Sequence, residues 1–240
     1  MSPPSLCDPR AIDAARVLVV APHPDDESLG CGGLMALLGA DNRLIHTLFV
    51  TDGGASHPAS PSWSRQRLAA RREAEAAEAL ARLGLGRHPR SFLKLRDADM
   101  PAPGTAGFDA ACSAVAALLK RFEPGLMLLP WRRDPHRDHR DSHALVTAAA
   151  AAAKLAPAIL EYAVWLDEFG DAADRPRPGE MEPVAFDIAA ALSRKRHAVD
   201  AHQSQTSALI DDDPTGFRLT EATIARLVGP VESYWRPCAG

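Results

Sequence analysis

The chain has 240 residues, 46% of them apolar and 24% charged, and its formal net charge is −4. That length buries a sizeable core, the composition is that of a globular protein, and the acidic balance argues against a nucleic-acid partner. Cys7, Cys31, Cys112 and Cys238 lie far apart with no C-x-x-C, which argues against a disulfide framework and a cysteine zinc site.

In chain order, "MSPPSLCDPRAIDAAR" shows no charged region followed by an apolar stretch, so no secretory signal is expected. Residues 1–15 read as an N-terminal extension. "RVLVVA" (16–21) predicts a buried strand and "GGLMALLGA" the helix after it; "RLIHTLFVT" (43–51) is the next strand. "SRQRLAARREAEAAEALARLG" (64–84) has apolar residues at helical spacing, with Gly84 where a stop belongs. "RSFLKL" reads as a strand, "GFDAACSAVAALLKRFEP" as a helix, and "GLMLLP" (125–130) as another buried strand. "SHALVTAAAAAAKLA" predicts a helix capped by Ser142. "AILEYAVWL" and "EPVAFDI" complete the strands, and "AALSRKRHAVDAHQSQ" is a late helix.

The longest apolar window, "LVTAAAAAAKLAPAILEYAVWL", is broken by Lys154, Pro157 and Glu161, so no membrane span is expected and the protein is assigned to the cytoplasm. Strands alternating with helices predict a single α/β domain over 1–240, its mainly parallel sheet covered on both faces. Sites in such sheets form at the carboxyl ends of the strands. Three loops, 51–64, 167–183 and 211–216, are irregular, and the first two are placed to choose a substrate.

The first predicted strand runs into "PHPDDE". Pro22 and Pro24 restrict the backbone on both sides of His23. A His and an Asp three residues apart in a tight turn converge on one point, which suits a metal held by His23 and Asp26 with Asp25 left beside it as a base. A polar turn with helix-capping acids is the simpler alternative, but capping needs one acid and no histidine. The following "LGCGG" lacks the G-x-G-x-x-G spacing of a dinucleotide site, and acids stand where a pyrophosphate would approach. Its glycines read as allowing close helix-on-sheet packing.

The second cluster, "PWRRDPHRDHRDSH" (130–143), follows "GLMLLP" and carries His136, His139 and His143. Two His-bearing loops at the ends of parallel strands can face one another across the top of the sheet. Two histidines and one carboxylate form a common catalytic zinc set, and imidazoles favour zinc over magnesium. Spacing leaves His143 open as a ligand, a supporting partner or a surface residue. His46, His57, His88 and His197 are isolated and read as structural, with His57 at a rim.

Together "APHPDDESLGCGG" and "DPHRDH" resemble the LmbE-like or PIG-L superfamily of zinc-dependent N-deacetylases. "TDGG", "RREAEAAEALARLG" and "KRHAVDAHQSQ" extend the likeness over about residues 16–205. The resemblance implies a Rossmann-like three-layer α/β/α domain in which His23, Asp26 and His139 hold Zn2+. It implies Asp25 as general base and a protonated His136 that steadies the oxyanion and supplies the departing amine's proton, with Asp138 orienting His136. Arg72 would reach the substrate, against the alternative of a solvated basic helix face. The implied substrate is a small N-acetylated amino sugar of the N-acetylglucosamine type or a glycoconjugate of it. Homo-oligomerisation is left open. Two departures stand out: Arg137 replaces a common proline, and Asp134 stands where some members carry a tyrosine.

Competing readings are the same apparatus acting on a non-sugar N-acyl compound, a metal-binding relative without activity, and a nucleotide-dependent oxidoreductase. The second predicts a damaged base or acid, yet Asp25 and His136 are present; the third lacks its glycine fingerprint.

Overall fold

The computed structural model describes residues 6–238. Of the expected N-terminal extension, residues 1–5 lie outside the described residues, while Leu6–Cys7 form a short strand, β1. In chain order there follow β2 (Arg16–Ala21), α1 (Asp26–Ala40), β3 (Leu44–Thr51), α2 (Arg65–Arg82), β4 (Arg90–Leu95), α3 (Ala106–Phe122), β5 (Leu126–Pro130) and α4 (Arg137–Ala153). The remainder comprises β6 (Ala158–Tyr162), α5 (Leu166–Phe169), β7 (Met181–Asp187), α6 (Leu192–Val199), α7 (Gln203–Thr206), α8 (Glu221–Leu227) and β8 (Val231–Pro237). The sheet runs β1-β7-β8-β6-β5-β2-β3-β4. Every pairing is parallel except those of β8 with β6 and β7.

Strand alternation splits the core into two layers. Val17, Val19 and Ala21 of β2, Ile45 and Phe49 of β3, and Leu126 and Leu128 of β5 share one cluster with α1 and α2. Their neighbours Leu18, Val20, Leu48, Val50, Met127 and Leu129 face α3 and α4 on the other side. Side chains that alternate faces and are apolar on both require a helix layer on each, giving the α/β/α arrangement. The close approach expected of "LGCGG" is present: a Cβ at Gly30 would strike the Tyr162 ring, and one at Gly33 would lie 2.7 Å from Ile188.

Three details differ from the sequence reading. Helix α4 begins at Arg137, not behind Ser142, because the His136 ring caps it by accepting a hydrogen bond from Asp138 N, and Ser142 is buried inside the helix. The late helix breaks between Val199 and Gln203. The segments Glu221–Leu227 and Val231–Pro237 are a further helix and strand. In the strand, Glu232 faces inward, where it accepts from Gly33 N, Leu34 N and Lys195 Nζ, so an acid stands where alternation calls for an apolar residue. Among the described residues no helix is long and apolar enough to cross a membrane.

His46, buried in β3, packs edge-on against Phe122, with Nε2 2.9 Å from Ser91 Oγ. Burial, helped by the charge of Arg121, pushes its pKa from 6.5 down to about 4. The unfolded chain therefore takes up this proton first, and the stability His46 lends above pH 6.5 is lost as pH falls toward about 4. His46→Gln is expected to flatten this part of the Tm–pH curve relative to the native chain; parallel curves would contradict it.

Candidate active site

The strand order places the two clusters. β2 pairs with β3 on one side and β5 on the other, so the chain leaves the middle of the sheet in opposite directions. Crevices at such switch points are where parallel sheets bind ligands. The loops after β2 and β5 meet there.

After Ala21 the backbone folds into a tight turn in which His23 O accepts from Asp25 N and Asp26 N. Asp26, the first residue of α1, returns its side chain: Oδ2 accepts from His23 N at 2.8 Å and lies 3.1 Å from His23 Nδ1. The same oxygen lies 3.3 Å from His139 Nε2, which α4 supplies from its first turn. His136 completes a trio of rings, its centroid 4.7 Å from that of His23 and 5.1 Å from that of His139. Among the described residues, two groups of three have ligating atoms all within 4.8 Å of one another: His23, His136 and His139, and His23, Asp97 and Asp138.

The donors fit a cation. His139 is fully buried, yet neither ring nitrogen makes a hydrogen bond of acceptable geometry. A buried imidazole with nothing on its lone pair is costly, and a metal ion at that lone pair satisfies it. Imidazole nitrogen plus carboxylate oxygen is a zinc-type donor set. Burial works against charge on His139, but Asp26 and Asp134 outweigh it and raise its pKa to about 9. Burial likewise opposes charge on Asp26, but His139 and His23 hold its carboxyl well below the usual range. The carboxylates thus favour positive charge among these imidazoles, the charge that a bound cation would supply.

Asp25 does not join this set. Its Oδ2 lies 2.9 Å from Arg72 Nη2, and burial raises its carboxyl to about 6 against the pull of Arg72. Arg72 is 3% exposed, so it is no solvated helix face. It donates to Gly53 O and Pro24 O, tying α2 to the loops after β3 and β2. It also lines the cavity. His136 is pushed down to about 4 by burial, then by the His23 and His139 charges. Asp138 reaches His136 through its backbone N–H, while its carboxylate accepts from Ala98 N at 2.8 Å and lies 3.3 Å from His23 Nε2.

Three residues here were not assigned roles from the sequence. Asp97, after β4, accepts from Ala55 N and places Oδ1 3.3 Å from His23 Nε2. His202, in the break between α6 and α7, is buried 3.1 Å from Glu27 Oε1. The third, Asp134, was noted only as a departure, and it cannot stand in for a tyrosine facing substrate because it is fully buried. Its carboxylate accepts from His136 N, Val164 N and Trp165 N and lies 3.6 Å from His139 Nδ1. Asp134→Ala strands three buried N–H groups, each worth about 1–3 kcal/mol. A loss of at least about 3 kcal/mol in urea unfolding is expected; a loss under about 1 kcal/mol would show that the loops do not depend on it.

His143, left open by spacing, and His57, read as a structural histidine at the rim, also find places. His143 is half-buried with Nε2 3.2 Å from Glu161, which also pairs with Arg132, and it is outside the metal-type groups. His57 is buried behind the rim, against Gly216 and beside Ser56. A cavity of about 590 Å³ opens over His23, Asp25, Asp26, Arg72, Asp97 and His136. All three irregular loops contribute to its walls, through Ser56, Phe169 and Thr215.

Much of the chain is similar to known proteins. The family model described as PIG-L, GlcNAc-PI de-N-acetylase, matches residues 18–150. The 1D-myo-inositol 2-acetamido-2-deoxy-alpha-D-glucopyranoside deacetylase of Rhodococcus opacus is 30% identical, over 80% of this chain and 82% of its own. The Rhodococcus jostii enzyme of the same name is 29% identical over the same shares. Among solved structures, the N,N'-diacetylchitobiose deacetylase of Pyrococcus horikoshii superposes with a TM-score of 0.64 at 23% identity, covering 80% of this chain and 71% of that one, a likeness of fold.

Proposed function

The chain belongs to the PIG-L family of de-N-acetylases, and from that premise we propose that it is a zinc-dependent N-deacetylase of N-acetylglucosamine-type glycoconjugates, with His23, Asp26 and His139 as the metal ligands. The observation that carries this reading is Asp26 Oδ2, shared between the imidazoles of His23 and His139, with Asp25 beside it on Arg72. The 2-acetamido-2-deoxy-glucopyranoside in the names of the relatives supports the amino-sugar substrate. The domain spanning 1–240 is taken as one catalytic unit. The free thiols of Cys31, Cys112 and Cys238 suit a reducing cytoplasm.

Zinc held there supplies Lewis-acid charge that acidifies water and draws electrons from an amide carbonyl oxygen. Each proton movement falls to the chain. Arg72 fixes Oδ2 of Asp25, which leaves Oδ1 to take the proton of the attacking water. The carboxyl, raised to about 6, holds that proton more readily than an ordinary aspartate. His136 Nδ1 accepts from Asp138 N, so Nε2 carries the ring's N–H. That N–H is the group that steadies the oxyanion. The departing nitrogen cannot leave as an anion, so the proton on Asp25 is delivered to it. Water has then been split between the acid product's hydroxyl and the amine's new N–H.

Zinc-loaded protein is expected to release acetate from methyl N-acetylglucosaminide and from N-acetylglucosaminyl inositol, but not from N-acetyl amino acids. Acetate released only from the amino acids would transfer the chemistry to a different substrate class.

A further inference from the structure

The floor of the cavity is polar, and its rim is not. Trp165 and Phe169, at and beyond the start of α5, and Phe217, past the 211–216 loop, stand together at the mouth. The Trp165 centroid is 5.6 Å from each phenyl, tilted toward Phe169 and nearly perpendicular to Phe217. Phe169 is 64% exposed and Phe217 41%, and they are the only aromatic residues among the exposed large hydrophobics of the described chain. Large rings held in water at an active-site entrance mark a surface that a ligand covers.

The rings sit on braced loops. Trp165 N donates to Asp134, and Glu168 accepts from Thr223 and Arg226, which pins α5. Phe217 N donates to Ser56 O, and Asp213 accepts from Ala59 N, joining the 211–217 and 51–64 loops. A wall held this way is preformed, so little ordering is needed when a ligand arrives.

The reacting acetamido group belongs at the floor, where His23, Asp25 and Asp26 are buried, and the sugar lies above it. The rim therefore meets whatever the sugar carries beyond itself. Pro58, Pro135 and the three rings line that level with Thr215, whose hydroxyl already donates to Asp213. Of the other polar lining groups, Gln205 is fully buried and donates to Ser56 Oγ, so a hydroxyl-covered group would find few free partners, whereas a flat hydrocarbon would bury area against three faces. We propose that Trp165, Phe169 and Phe217 form a subsite for an apolar, aromatic aglycone on the reacting amino sugar. This inference rests on the deacetylase reading above.

The test compares phenyl and methyl N-acetylglucosaminides, with a methyl glucosaminide N-octanoylated on its amine as a third arm. The phenyl glycoside is expected to show a KM about 10-fold lower than the methyl glycoside. Phe169→Ala and Phe217→Ala, both exposed positions, should raise the phenyl KM by about 10-fold and leave kcat and the methyl constants in place. Equal constants for the two glycosides in the native chain would overturn the proposal, as would a penalty shared by both or one that follows the octanoyl chain. Binding of the phenyl glycoside, read by quenching of Trp165 fluorescence and absent in Trp165→Phe, separates this claim from the reaction. Quenching that both Phe variants abolish, with no acetate released from any sugar, keeps the subsite and rejects the deacetylase. Turnover with no quenching does the reverse.

Discussion

Asp25→Asn is expected to lower acetate release by about 10³-fold or more, within the range a positioned general base supplies, while the protein keeps its full zinc content. The amide has the size of the carboxylate and can still accept from Arg72 Nη2, so the turn of Pro22–Asp26 should survive. What it loses is the ability to hold a proton. Asp25 is buried, its Oδ2 is held on Arg72 whereas Asp26 Oδ2 is shared by the imidazoles of His23 and His139, and its carboxyl is raised to about 6. These traits belong to a base, not a ligand. Zinc content by atomic absorption and acetate release from one preparation give the answer. Native activity in the variant would remove Asp25 from the reaction, and loss of zinc would make it a ligand.

His139→Ala should strip the ion itself. Zinc affinity is expected to fall by more than about 100-fold, the upper loss seen when an outer partner of a metal site is removed. Activity should fall with it and return only at high added zinc. His139 is fully buried with neither ring nitrogen in a hydrogen bond of acceptable geometry, so its packing does not explain its presence as well as a cation does. His136→Ala makes the contrast. His136 is half-buried, its Nδ1 already accepts from Asp138 N, and its removal should abolish turnover with zinc retained. Should His136→Ala lose the ion as His139→Ala does, the three-imidazole grouping would replace the assignment to Asp26.

Much of the site is legible in the sequence because its groups sit close together in the chain. His23, Asp25 and Asp26 share one turn, and His136, Asp138 and His139 share another, so spacing shows two clusters, while the separate roles of His136, Asp138 and His139 come from the resemblance to the PIG-L family. That the halves meet follows from two apolar runs reading as parallel strands, here adjacent as β2 and β5. Arg72 needed the fold: in a helix with many Arg and Glu, only burial against Gly53, Pro24 and Asp25 distinguishes it from its neighbours. Asp97 and His202 carry no local pattern, one being a single acid after a strand and the other a lone histidine where a helix breaks. The "DPHRDH" segment marked Asp134 as a departure but could not show that it points inward, since its partners Val164 and Trp165 lie some thirty residues on. The strand β8 escaped notice because Glu232, Arg236 and Pro237 break its apolar pattern, although Glu232 is a buried partner of Lys195.

The most direct test of the account is an anomalous-scattering map, recorded at the zinc absorption edge, from crystals of the zinc-loaded chain. One peak is predicted within about 2.0–2.2 Å of an imidazole nitrogen of His23, a carboxylate oxygen of Asp26 and an imidazole nitrogen of His139, with Asp25 outside bonding distance. A peak bound by His136 in place of Asp26, or seated between Asp97 and Asp138, would contradict it.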